Sequence, residues 1–129
     1  MGYCMVQTDC KFKIPAEHLE NSIAAVMMAT PAYPIDKVKL DESLSLVAKL
    51  NRIIEEGWCF SVIGDGHNVI KVCFDGEKLH TETSTWMEAI APFVENGSYI
   101  EMCGEDGDQW RWVFNNGTMK EIRPKTIWE

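Results

Sequence analysis

Ser98–Phe114, SYIEMCGEDGDQWRWVF, is the stretch whose reading decides the fold. Ser98–Cys103 alternates, with Ile100 and Met102 on one side and Tyr99, Glu101 and Cys103 on the other. Gln109–Phe114 alternates too, with Trp110, Trp112 and Phe114 opposed to Arg111 and Val113. A period of two in β-branched and aromatic residues is the signature of a half-buried strand, and Gly104-Glu105-Asp106-Gly107 is turn chemistry. The stretch therefore predicts an antiparallel hairpin with an acidic tip.

Working back from this hairpin, Thr83–Val94 reads as a helix with Thr85 and Glu88 spaced as a capping box. Pro92 is interior to that pattern and should kink or split it. Trp58–Phe74 predicts a second hairpin, with Phe60 and Val62 on one side of its first arm and Ile70, Val72 and Phe74 on one side of its second. Gly64-Asp65-Gly66 supplies its turn, and no helix follows to make that turn a phosphate cradle. A helix from Asp41 to about Glu56 is predicted by Leu46, Val47, Leu50, Ile53 and Ile54, with Gly57 as its stop. An earlier helix opens at Pro15 and carries the stripe Leu19, Ile23, Val26 and Met27 up to Thr30-Pro31. Tyr3–Ile14 reads as the first strand, with a bend or bulge at Thr8-Asp9. Forward of the hairpin, Asn115-Asn116-Gly117 turns into a last strand, Met119–Ile122.

The order predicts a single α+β domain over residues 1–129, built on an antiparallel sheet with helices on one face. It matches a ferredoxin-like, split β-α-β arrangement with an extra helix and a trailing strand. In that arrangement the other sheet face is bare. Trp58, Trp110, Trp112 and Trp128 exceed what one covered face needs, so a homodimer or the Pro124–Trp128 tail is expected to cover it.

Composition narrows the function. No run approaches the roughly 18 apolar residues of a membrane span, and no secretory signal opens the chain. The five cysteines are odd in number and make no CxxC pair, so reduced thiols in a cytoplasm are expected. The net charge is −8, and the window Asp75–Asp108 holds nine of the twenty acids and one of the twelve bases. That excess argues against naked nucleic acid, which needs basic surface, and for a protein partner with a basic surface. HExxH and CxxC metal spacings are absent. Neither His18, His67 nor His80 is specified as the base for a nucleophile, so no catalytic residue, metal or cofactor is assigned and an enzyme is not expected.

The block Ile90-Ala91-Pro92-Phe93-Val94-Glu95-Asn96-Gly97-Ser98-Tyr99-Ile100-Glu101-Met102 is followed by Gly104-Glu105-Asp106-Gly107 and Trp110-Arg111-Trp112-Val113-Phe114. Together they resemble a pattern in small uncharacterised bacterial and phage α+β proteins, some of them toxin-immunity or mobile-element proteins. Met1-Gly2-Tyr3, Phe12 and Ile14 resemble them as well. The resemblance covers mainly the C-terminal third. It implies an intracellular domain acting in conflict between phage, plasmid and host, and it brings no catalytic residue with it.

The expected site is the acidic rim Glu101, Glu105, Asp106 and Asp108 beside Trp110 and Arg111. The acids would steer a basic partner and the tryptophan would anchor it. The runner-up is a small nucleotide ligand stacked in a pocket beside Trp110 and Arg111, with Tyr99 and Trp112 as further stacking surfaces.

Overall fold

The structure is a computed structural model of the chain and describes residues 4–29, 45–74, 76 and 85–124. Its elements are β1 (Met5–Lys11), α1 (Leu19–Met28), α2 (Leu46–Trp58), β2 (Phe60–Gly64), β3 (Val69–Phe74), α3 (Thr85–Ile90), β4 (Ser98–Gly104), β5 (Gln109–Asn115) and β6 (Thr118–Ile122). Strands β1-β4-β5-β6 form a four-stranded sheet and β2-β3 a two-stranded one, and every ladder is antiparallel. The α+β class and the antiparallel sheet stand as expected. The ferredoxin-like topology is not confirmed, because no ladder joins β1 to β3.

The hairpin folds as its alternation predicts. Ile100, Met102, Trp110, Trp112 and Phe114 are all buried, while Arg111 on the opposite face is exposed. Asn116 and Gly117 both take positive φ, 52° and 77°, the backbone that a tight hairpin turn into β6 requires. The bulge expected at Thr8-Asp9 appears as a register shift between Gln7 and Asp9.

The helices pack on the sheet through the stripes read from the sequence. Leu19, Ile23 and Val26 of α1 are buried, as are Leu50, Ile53 and Ile54 of α2. Asp41 lies outside the described residues, as do Thr83 and Trp128. The described helix α2 starts later than expected, capped by Ser45, whose Oγ accepts from Ala48 N at 3.2 Å. It also runs past Gly57 to Trp58, and Cys59 takes the left-handed turn at φ 62° with its N–H donating to Glu55 O. Continuing the helix by one residue buries Trp58, a gain of apolar burial that exceeds what a glycine stop offers. Pro92 splits the third helix as expected: α3 ends at Ile90 and a 3-10 turn, Ala91–Phe93, follows.

One side assignment is corrected. Ile70 does not join Val72 and Phe74; it is 47% exposed, while Val69 and Val72 are fully buried. The cause is an irregularity in the β2–β3 register, where Ile63 faces Lys71 and Gly64 faces Val69. Ile70 is thus the extra residue and turns outward.

The seam between β1 and β3 is closed in an unusual way. At one end Ile14 and Val69 exchange two backbone hydrogen bonds, each 3.0 Å. At the other, the Gln7 side chain takes the place of a peptide group: its Nε2 donates to Val72 O at 2.6 Å and its Oε1 accepts from Phe74 N at 2.9 Å. Between these ends a cleft of about 470 Å³ opens, lined by Gln7, Asp9, Cys10, Lys71, Cys73 and Phe74. Burial pushes the Cys10 thiol up, and contact with the Val72 backbone opposes that shift.

Gln7→Leu removes both seam bonds and leaves the partly buried Val72 carbonyl and Phe74 N–H without their partner. It should cost about 1–3 kcal/mol, read as a lower urea midpoint at unchanged slope. A midpoint equal to the parent's would mean that the Gln7 amide does not hold the two sheets together.

Candidate functional site

The face of the four-stranded sheet away from the core carries a polar network. Glu101 on β4 and Arg111 on β5 are directly opposed in register, and Arg111 Nε donates to Glu101 Oε1 at 2.8 Å. Thr8 Oγ1 donates to Glu101 Oε2 at 2.9 Å. The Arg111 guanidinium lies 4.6 Å from the centre of the Tyr99 ring. Tyr99 OH in turn donates to Asp9 Oδ2 at 2.8 Å, and the other Asp9 oxygen accepts from Cys10 N. Three strands thus contribute to one network whose members are locked by charge-assisted bonds.

Charge and hydrogen bonding shift the members in consistent directions. The Tyr99 hydroxyl, the Cys10 amide and Arg111 hold Asp9 below the usual carboxylate range. Arg111 and Thr8 do the same for Glu101. The bond to Asp9 pushes Tyr99 up, and Glu101 pushes Arg111 up.

At the hairpin tip the backbone turns between Gly104 and Asp108, with Gly107 at φ 86°. Gly104 N donates to Asp108 O at 2.8 Å, and Asp106 Oδ1 accepts from Asp108 N at 3.0 Å. Glu105 N donates to Cys4 O at 2.9 Å, which pins the tip to the start of β1. Glu105 and Asp106 are exposed. Asp108 is ion-paired with Arg123.

The six expected site residues therefore do not form one surface. Glu101 and Arg111 meet on the open face, and Glu105 and Asp106 meet at the tip. Trp110 lies on the opposite, core-facing side at 5% exposure, packed edge-on to Trp112 at 5.9 Å with Arg123 over its ring. It is largely a core residue and not a free surface anchor, yet it lines a cavity of about 210 Å³ together with Glu101, Arg111, Ile122 and Arg123. Trp58 and Trp112 are also buried, so the described tryptophans give no bare aromatic face for a second copy to cover.

An apolar element does lie beside the tip, and sequence reading missed it. Val6 is 61% exposed and lines a groove of about 290 Å³ with Cys4, Met5, Cys103, Gly104 and Glu105. The β1–β4 pairing sets Val6 opposite Cys103. That pairing joins residues more than ninety positions apart, as the Thr8–Glu101 bond does, and no local pattern reveals it.

Among the described residues no cluster of three metal-ligating side chains occurs, and no described helix is long and apolar enough to cross a membrane. Cys59 is exposed, and the other four sulfurs are half-buried. No family model, curated protein or solved structure matches this chain.

Acid titration checks the network. Asp9 and Glu101 are depressed in the folded chain from ordinary values near 3.8 and 4.5, so on acidification the unfolded chain takes up protons first. Their contribution is full above those ordinary values and is lost as pH falls through the depressed ones. The Asp9→Asn, Glu101→Gln double variant should be less stable than the parent at neutral pH and lose less between pH about 5 and about 2. Urea midpoints across that range decide it, and parallel acid limbs would remove the network from the account.

Proposed function

We propose that this chain is a small acidic binding protein of the inhibitor or immunity kind, which docks on a basic protein surface through its β4–β5 hairpin tip. The observation that carries this reading is the juxtaposition of exposed Val6 and its groove with the exposed carboxylates Glu105 and Asp106. A buried apolar contact supplies affinity while a charged rim raises the association rate. The tip is held rigid by bonds to Cys4 and across the turn, so little ordering entropy opposes docking. The acidic sequence window agrees with this, and the resemblance to toxin-immunity and mobile-element proteins points the same way. A cytoplasmic setting and action in conflict between phage, plasmid and host belong to the same reading.

We read the fold itself as a ferredoxin-like strand order, β2-β3-β1-β4, extended by β5 and β6 and parted at the β1–β3 seam. The single Ile14–Val69 bridge and the Gln7 amide support that order.

The test is affinity capture on the immobilised chain, followed by kinetics with the captured protein at low and high salt. Glu105→Lys with Asp106→Lys should slow association about tenfold or more at low salt, and the difference should shrink as the Debye length falls. Val6→Asp should mainly speed dissociation. Both sets lie at exposed positions and leave the fold intact, whereas Trp110→Ala would cost about 3–5 kcal/mol as a core cavity and is a poor test. Equal rates in parent and double reversal at low salt would place the contact elsewhere. Stabilisation of the free chain by several degrees with one nucleotide would favour a small-ligand protein instead.

A further inference from the structure

The chain is acidic, yet its open sheet face is not. Directly opposed residues in an antiparallel pair share a face, and the registers place Lys11, Tyr99, Val113 and Lys120 in one row across β1, β4, β5 and β6. At a strand spacing of about 4.8 Å, Lys11 and Lys120 are roughly 14 Å apart along the backbone. Arg111 belongs to the adjacent row. Lys71 lines the seam cleft together with Asp9, on the same side of the molecule.

Four cations separated in sequence thus gather on one face. Among the described strand residues the carboxylates facing them are Asp9 and Glu101, and both are already engaged, with Tyr99, Thr8 and Arg111. Four cations less two carboxylates leaves a local surplus of two positive charges on a chain of net −8. None of the three lysines makes an ion pair with a described residue. The chain as a whole is acidic, whereas folding segregates its signs.

We infer that this face, Lys71–Lys11–Tyr99/Arg111–Lys120, is a binding surface for a short single-stranded nucleic acid. Charge complementarity selects an anion, and the centre of the row selects this one. Single strands bind where cations track the phosphates and a π surface takes a base, and an Arg guanidinium plane serves for stacking as an aromatic ring does. Arg111 lies over Tyr99 at 4.6 Å and is held there by Glu101 at 2.8 Å, so the platform is preorganised. An acidic polypeptide would use the lysines and leave the platform idle. The inference does not depend on the hairpin-tip reading.

The experiment is fluorescence anisotropy of the full chain with labelled single-stranded DNA and RNA of about 12 nucleotides, a length within known site sizes, and with a labelled polyglutamate peptide. Saturable binding to an oligonucleotide is expected. With three to four phosphate contacts, its log affinity should fall with log salt at a slope of about −2 to −3. Lys11→Glu with Lys120→Glu should weaken binding at least tenfold. The milder Lys11→Gln, Lys120→Gln pair should flatten the slope by about 1.4, two contacts' worth. Tyr99→Leu should weaken binding at unchanged slope. Lys49→Glu with Arg52→Glu on α2 makes the same change in net charge and should have a much smaller effect. The proposal is overturned by the absence of saturable binding to either oligonucleotide, or by equal losses in the face and α2 variants. It is also overturned by binding of polyglutamate in place of the oligonucleotides, which would assign the face to an acidic polypeptide.

Discussion

Phe60 touches three parts of the molecule at once. Its ring centre lies 4.9 Å from Phe74 on β3, 5.2 Å from Trp86 on α3 and 6.3 Å from Trp112 on β5. These contacts bring the two-stranded and the four-stranded sheet, which share no ladder, onto one aromatic cluster. Fully burying rings of this size contributes more than a backbone hydrogen bond does, since each such bond adds only about 1 kcal/mol net.

The parted seam explains the placement of polar side chains along β1. Backbone groups on a strand edge that face neither water nor a partner are costly, and here Gln7 supplies a side-chain amide where a peptide would have been. Beyond it, Thr8 and Asp9 reach the opposite way, to Glu101 and Tyr99 on β4. The bulge between Gln7 and Asp9 lets neighbouring residues serve the two sides. One irregular strand therefore joins the two sheets and also fixes the open-face network.

The parts of this fold legible in the sequence were those set by local period and local turns. The Ser98–Phe114 hairpin, the Asn116-Gly117 turn, the split at Pro92 and the apolar stripes of α1 and α2 all depend on residues within a few positions of one another. The failures share the opposite property. Gly57 reads as a stop because the tertiary gain from burying Trp58 is invisible locally. Ile70 falls on the wrong side of the simple alternation because one extra residue in β3 reverses it. Trp110 is a poor anchor because its own alternation with Trp112 and Phe114 already places it inward. Val6, Asp9 and Tyr99 join the surfaces described here only through the long-range pairing of β1 with β4, which no window of the chain contains.

The edges of the strand order bear on self-association. On β2 the outward N–H of Val62 donates to Asn51 Oδ1 of α2 at 2.8 Å, so a helix side chain blunts that edge. On β6, continuation of the sheet about a two-fold axis must place one residue opposite its own copy, because opposed residues share a face. The register that pairs all five residues of β6 centres on Lys120 and opposes two ammonium groups; the next, centred on Glu121, opposes two carboxylates. Centring on Met119 avoids both but leaves only three residues of the strand paired. Like charges directly opposed are destabilising in a ladder. The charged residues of β6 thus act against edge-to-edge dimers of this chain.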